Sequence, residues 1–163
     1  MAVKNFEELK LGVCKQLGAP VPDNGEDGAN EDAFMLTIGD VAVMTVHSPK
    51  TNPDRAFLFC DYGDVPEDIE LFVLRRLLEM NFLLYRGNSP AFCRDVTSGH
   101  IMLMGELLFA TTTPASALEI MQRFAAHVKE WRRTHFVEDL VMDDPAARHS
   151  GAGADSVRST SAR

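Results

Sequence analysis

The amino-acid sequence predicts an α+β fold, a twisted antiparallel sheet of about five strands with three main helices in the order α-β-β-β-α-β-β-α. Three observations carry this expectation. Two stretches, at residues 33–46 and 91–109, each contain a pair of apolar runs around a short glycine-containing turn, the pattern of an antiparallel hairpin. Three others repeat apolar residues at three- and four-residue spacing, as amphipathic helices do. The 163 residues are 45% hydrophobic, enough for one folded core without disulfide staples.

In chain order, Asn5 and Glu8 have capping-box spacing, and Phe6, Leu9, Val13 and Leu17 then share one helical face up to Gly18 and Pro20. Residues 20–32 are turn-rich and acidic. With Asp23 as first ligand of a calcium loop, Gly25 falls third and Phe34 twelfth, where a bidentate glutamate is needed, so a solvated loop is expected. The runs AFMLTI and VAVMTV meet at Gly39-Asp40, a two-residue turn. That turn sets Ile38 opposite Val41, Leu36 opposite Val43 and Phe34 opposite Thr45 on a bulky face. Met35 opposite Met44 and Thr37 opposite Ala42 form a softer one. A third strand is expected at residues 56–60, AFLFC.

Residues 66–86 predict the helix around which the chain is expected to be organised. Pro66 suits a first helical position, Glu67, Asp68 and Glu70 complement the helix dipole, and Gly87 ends the run. Polar lines, Asp68-Arg75-Glu79-Arg86 and Glu70-Asn81, separate two apolar stripes. Ile69, Val73, Leu77, Met80, Leu83 and Leu84 are expected to face the sheet. Leu71, Leu74, Leu78, Phe82 and Tyr85 are spaced like a coiled-coil seam, which predicts a homodimer interface on a twofold axis.

The second hairpin, with strands at residues 91–96 and 100–109, turns at Ser98-Gly99. Phe92, Val96, Ile101 and Leu103 share its bulky face with Arg94, leaving Cys93, Met102 and Met104 on the other with Asp95. If both bulky faces pack under the central helix, Met35, Met44, Met102 and Met104 collect on an open face whose flexible thioethers suit varied apolar partners. The competing expectation is that the first and last helices cover the methionines as core. Thr113-Pro114 opens the last helix, with Leu118, Met121, Phe124, Ala125, Val128 and Trp131 at helical spacing and a continuation toward Leu140. One domain is expected over residues 1–142, followed by a flexible Ala/Gly/Ser-rich tail at residues 143–163.

The formal charge of −8 argues against a nucleic-acid surface. Acids near the N-terminus and the lack of a long apolar run argue for a cytoplasmic protein with no membrane span. Cys14, Cys60 and Cys93 are odd in number, widely spaced and set among apolar residues, which predicts reduced core thiols rather than a disulfide framework. No phosphate loop, dinucleotide fingerprint, zinc-helix motif or nucleophile elbow occurs, and His127 and His135 are eight apart rather than the four a helical metal site uses. No catalytic residue, metal site or cofactor is expected.

The run LRRLLEMNFLL, a short loop, AFCRDVTSGHIMLMGELLF and a Pro-initiated helix ending near a Trp resemble the CesT/Tir-type class I chaperones of bacterial type III secretion, over residues 6–133. The resemblance implies a non-catalytic homodimer that binds the N-terminal segment of a secreted effector in extended form, keeping it soluble and secretion-competent without ATP. It also implies the secretion ATPase or apparatus as a further partner. The acidic loop and the tail depart from the family pattern, and no binding position is carried over from it. A regulatory or sensory dimer of similar fold, or a small enzyme without a recognisable motif, remain the alternatives.

Overall fold

The structure, a computed structural model, describes residues 1–22, 32–84 and 90–135. Tyr85, residues 23–31 of the acidic loop, the expected helical continuation past residue 135 and the tail lie outside the described residues. The elements follow the expected order: α1 (Phe6–Leu17), β1 (Asp32–Ile38), β2 (Val41–His47), β3 (Arg55–Gly63), α2 (Glu70–Leu84), β4 (Ala91–Arg94), β5 (Ile101–Leu108) and α3 (Pro114–Thr134). The five strands form one sheet in the order β1-β2-β3-β5-β4, every neighbouring pair antiparallel.

Local chemistry sets the element ends. The Asn5 side chain accepts a hydrogen bond from the Glu8 N–H at 2.9 Å, while the Glu8 carboxylate reaches back to the Lys4 N–H at 2.9 Å, one residue before the donor a capping box uses. Thr113 and Ser116 form a full capping box at the start of α3, with Pro114 in its first turn. Gly39 takes a φ of 68° as the first central residue of the β1–β2 turn, and the register is the expected one, Met35 opposite Met44 and Leu36 opposite Val43.

Alternation along the strands buries one face of the sheet, including Phe34, Leu36, Val43, Leu58, Cys60, Tyr62, Leu103 and Leu107. The helices α3 and α1 cover it. From α3 come Met121, Phe124, Val128 and Trp131, and from α1 Phe6, Leu9 and Val13, all buried. The two helices cross closely because Gly12 lacks a side chain: a Cβ there would lie 2.4 Å from Pro114 Cγ. Gly105 similarly leaves room for the Phe124 ring, which a Cβ would approach to 2.7 Å.

Three sequence expectations are corrected. The bulky face packs under α3 and α1 rather than under the central helix. That helix, α2, leans on β4 at one edge of the sheet and buries Val73 and Leu77 there, so it is a flank of the subunit and not its centre. It also begins later than expected, because Pro66 sits in a preceding turn whose carbonyl accepts the Ile69 N–H at 3.1 Å. Finally, β4 stops at Arg94: the Asp95 carboxylate accepts from Thr97 N (3.0 Å), Ser98 N (3.3 Å) and Ser98 Oγ (2.7 Å), wrapping the chain into a turn. Val96, expected on the bulky face, is therefore 93% exposed in that turn.

Candidate functional site

The face of the sheet opposite α1 and α3 carries no described helix. The strand registers set Met35 beside Met44, Met44 beside Phe59, Phe59 beside Met104 and Met104 beside Ala91, so one apolar row runs across all five strands. A second row places Val46 beside Phe57 and Phe57 beside Glu106, and a third sets Met102 between Asp61 and Cys93. Met35 is 59% and Met44 40% exposed, while Met102, Met104, Phe57 and Phe59 are half-buried. All four predicted methionines thus share one accessible surface. Phe57 and Phe59, which complete it, were not singled out in the sequence. Their signal was the alternation of phenylalanine with Ala56, Leu58 and Cys60, and it becomes readable only once β3 is known to lie between the two hairpins.

Polar groups bound the apolar rows at both ends. At one, Arg55 donates to Asp54 Oδ1 at 2.9 Å and to Glu106, and these carboxylates raise its pKa further. At the other, His100 Nδ1 lies 2.9 Å from Asp61 and Nε2 3.1 Å from Asp64. Only an imidazolium can donate from both ring nitrogens, and the hydrogen bond to Asp61 raises the histidine pKa accordingly.

The two sheet edges differ. In a two-residue hairpin Ile38 and Val41 bond each other, so by alternation the main-chain groups of Ala33, Met35 and Thr37 point away from β2, and no described strand lies beyond β1. At the β4 edge, Asn81 of α2 donates from Nδ2 to the Phe92 carbonyl at 2.9 Å and accepts from the Phe92 N–H at 2.8 Å. The amide therefore occupies that peptide as a neighbouring strand would. Asn81, which the sequence places with Glu70 on a polar line between the two apolar stripes, thus turns its amide toward the sheet edge.

On the outer side of α2, Leu71, Leu78 and Phe82 are 64%, 69% and 82% exposed and share one face. Leu74, expected on the same seam, is half-buried against the subunit's own core, whereas Leu83, expected to face the sheet, is exposed. Behind α2 a cavity of about 370 Å³ separates it from α3, lined by Met80, Leu84, Phe92, Leu103, Ile120 and Phe124.

The thiols are not set up for nucleophilic chemistry. Cys14 and Cys60 are core thiols as expected, whereas Cys93, on the outward side of the edge strand β4, is exposed. Burial pushes Cys60 up to about 11 and raises Cys14, and partial desolvation with the nearby Asp95 raises Cys93. Among the described residues no group of three or more His, Cys, Asp or Glu side chains could hold a metal ion. Nor is any described helix long and apolar enough to cross a membrane.

The family whose sequence pattern matches the chain is described as the Tir chaperone protein (CesT) family, and the match spans residues 29–132. No curated protein sequence matches. Among solved structures, the ExsC–ExsE complex superposes with a TM-score of 0.60 at 20% identity, covering 77% of this chain and 89% of that one. The HopA1–SchA chaperone–effector complex gives 0.57 at 14% identity, with coverages of 78% and 92%. The ExoT–SpcS complex from Pseudomonas aeruginosa gives 0.54 at 15% identity, with coverages of 76% and 93%. At these identities the likeness establishes a shared fold.

Proposed function

Because the chain belongs to the Tir chaperone protein (CesT) family, we propose that it is a type III secretion chaperone that binds the N-terminal segment of a cognate effector and keeps it extended, soluble and competent for secretion. The observation that carries this reading is the open apolar row Met35-Met44-Phe59-Met104 on a sheet whose other face is already covered. An open apolar surface of this kind in a folded chain supports a binding role. Thioethers adapt to different apolar side chains, and an extended segment adding to the β1 edge would gain main-chain hydrogen bonds at Ala33, Met35 and Thr37. Such binding holds a segment unfolded without an energy source. The solved HopA1–SchA assembly is itself described as a chaperone–effector complex, which supports assigning the same role to this fold.

The reading includes a homodimer joined through Leu71, Leu74, Leu78, Phe82 and Tyr85, with exposed Leu71, Leu78 and Phe82 at its centre. The family is one of non-catalytic chaperones; we extend that to this chain as a cytoplasmic binding protein rather than an enzyme. The double substitution Met35→Gln and Met102→Gln tests the client face. Client affinity should fall while the melting temperature stays within a few degrees, because neither side chain is core. A variant that melts much earlier yet binds its client normally per folded molecule would place the site elsewhere.

A further inference from the structure

We propose that the open sheet face is an oxidation-sensitive site, at which oxygen transfer to Met35 and Met44 by a two-electron oxidant such as hypochlorous acid switches off client binding. The inference rests on the client-face reading. Its geometric basis is that Met35 and Met44 face each other across β1 and β2, both exposed, and continue through Phe59 to Met104 in a single row. In the reaction a lone pair of the thioether sulfur attacks the oxygen of hypochlorous acid. The S–O bond forms as the O–Cl bond breaks, chloride leaves, and the hydroxyl proton passes to water. Sulfur is oxidised by two electrons to the sulfoxide and chlorine is reduced to chloride.

A sulfoxide is polar and a hydrogen-bond acceptor, so two in adjacent positions break the apolar continuity that an extended partner would cover. The fully buried methionine of the core is insulated from the same chemistry. Met121, the methionine of the core, is fully buried beneath α3, whereas Met35 and Met44 project from the opposite face of the sheet. Met1 is fully exposed and serves as an internal gauge of unhindered reactivity. A bound client would shield Met35 and Met44 but not Met1, so occupied chaperone would resist the switch and free chaperone would not.

The test treats the full chain with stoichiometric hypochlorous acid, maps sulfoxides by mass spectrometry, and measures binding of a synthetic extended peptide of alternating valine and serine. Sulfoxide at Met35 and Met44 should appear alongside that at Met1, with Met121 unreacted, an unchanged circular dichroism spectrum and peptide affinity weakened by about tenfold or more. In a Met35→Leu, Met44→Leu variant, which conserves apolarity but has no thioether at these two positions, the readout is the ratio of its own affinities before and after treatment, and that ratio should fall far less than in the wild-type protein. Equal loss in this variant, or full affinity in wild-type protein carrying both sulfoxides, overturns the inference while leaving the client face intact. If untreated protein does not bind the peptide, or binds it undiminished after Met35→Gln, the client-face reading fails and takes the inference with it.

Discussion

The side-chain amide of Asn81 and the peptide of Phe92 hydrogen-bond each other at both polar positions, 2.9 and 2.8 Å, joining the exposed helix α2 directly to the edge of the sheet. With Val73 and Leu77 as the helix's buried residues, this pairing is a principal determinant of how α2 sits on the subunit. Replacing Asn81 by Leu leaves the Phe92 N–H and carbonyl without that partner, which costs on the order of 1–3 kcal/mol. Denaturant unfolding should report a loss of that size, and an unchanged midpoint would show that the pairing contributes nothing.

The crossing of α1 over α3 depends on Gly12. Gly12→Ala places a methyl 2.4 Å from Pro114 Cγ and 2.8 Å from its Cβ, in a ring that cannot swing aside. Overpacking of this kind destabilises by about 1–3 kcal/mol. A thermal melt showing Gly12→Ala as stable as the parent would mean that the helices separate freely.

The seam of α2 should behave differently from its inner side. Leu78→Glu or Phe82→Glu changes a residue that is exposed in the single subunit, so the protein should stay folded while light scattering reports the mass of one chain instead of two. Leu77→Glu buries an unpaired charge and should unfold the subunit, at a cost of several kcal/mol. Wild-type protein that is monomeric at about ten micromolar would remove the dimer from the proposal.

How far this arrangement was legible varies from element to element, for physical reasons. The Gly39-Asp40 turn permits one register, so the pairing of Met35 with Met44 followed from the sequence alone. The helix α2 offered no comparable constraint. It is apolar nearly all round, and spacing cannot say which stripe its own sheet will take; hence Leu74 turned inward and Leu83 outward. The sequence places Asn81 on a polar line but cannot name its partner, because the Phe92 peptide lies eleven residues further along the chain. The run AFLFC could not reveal its faces until β2 and β5 were placed on either side of it.

The His100 bridge predicts a pH dependence. Its pKa is raised in the folded protein by the hydrogen bond to Asp61, then by the charges of Asp61, Asp64 and Asp95. Its stabilising contribution is therefore fully present below the unfolded value of about 6.5 and is lost as pH rises through the folded pKa. His100→Gln should abolish this loss, narrowing the difference in melting temperature between mildly acidic and mildly alkaline buffer. An identical pH profile for the variant would show that the bridge does not form in solution.

The central claim is that the open methionine face holds the effector segment. Placing photoreactive benzoylphenylalanine at Met44, Met104 or, as a control on the outer surface of α3, Gln122, and irradiating cells of the native host tests this most directly. Mass spectrometry of the adducts should find the N-terminal segment of a secreted protein joined at the two sheet positions and absent at Gln122. Adducts at Gln122 with none at Met44 or Met104, or sheet adducts that carry no secreted protein, would contradict the account.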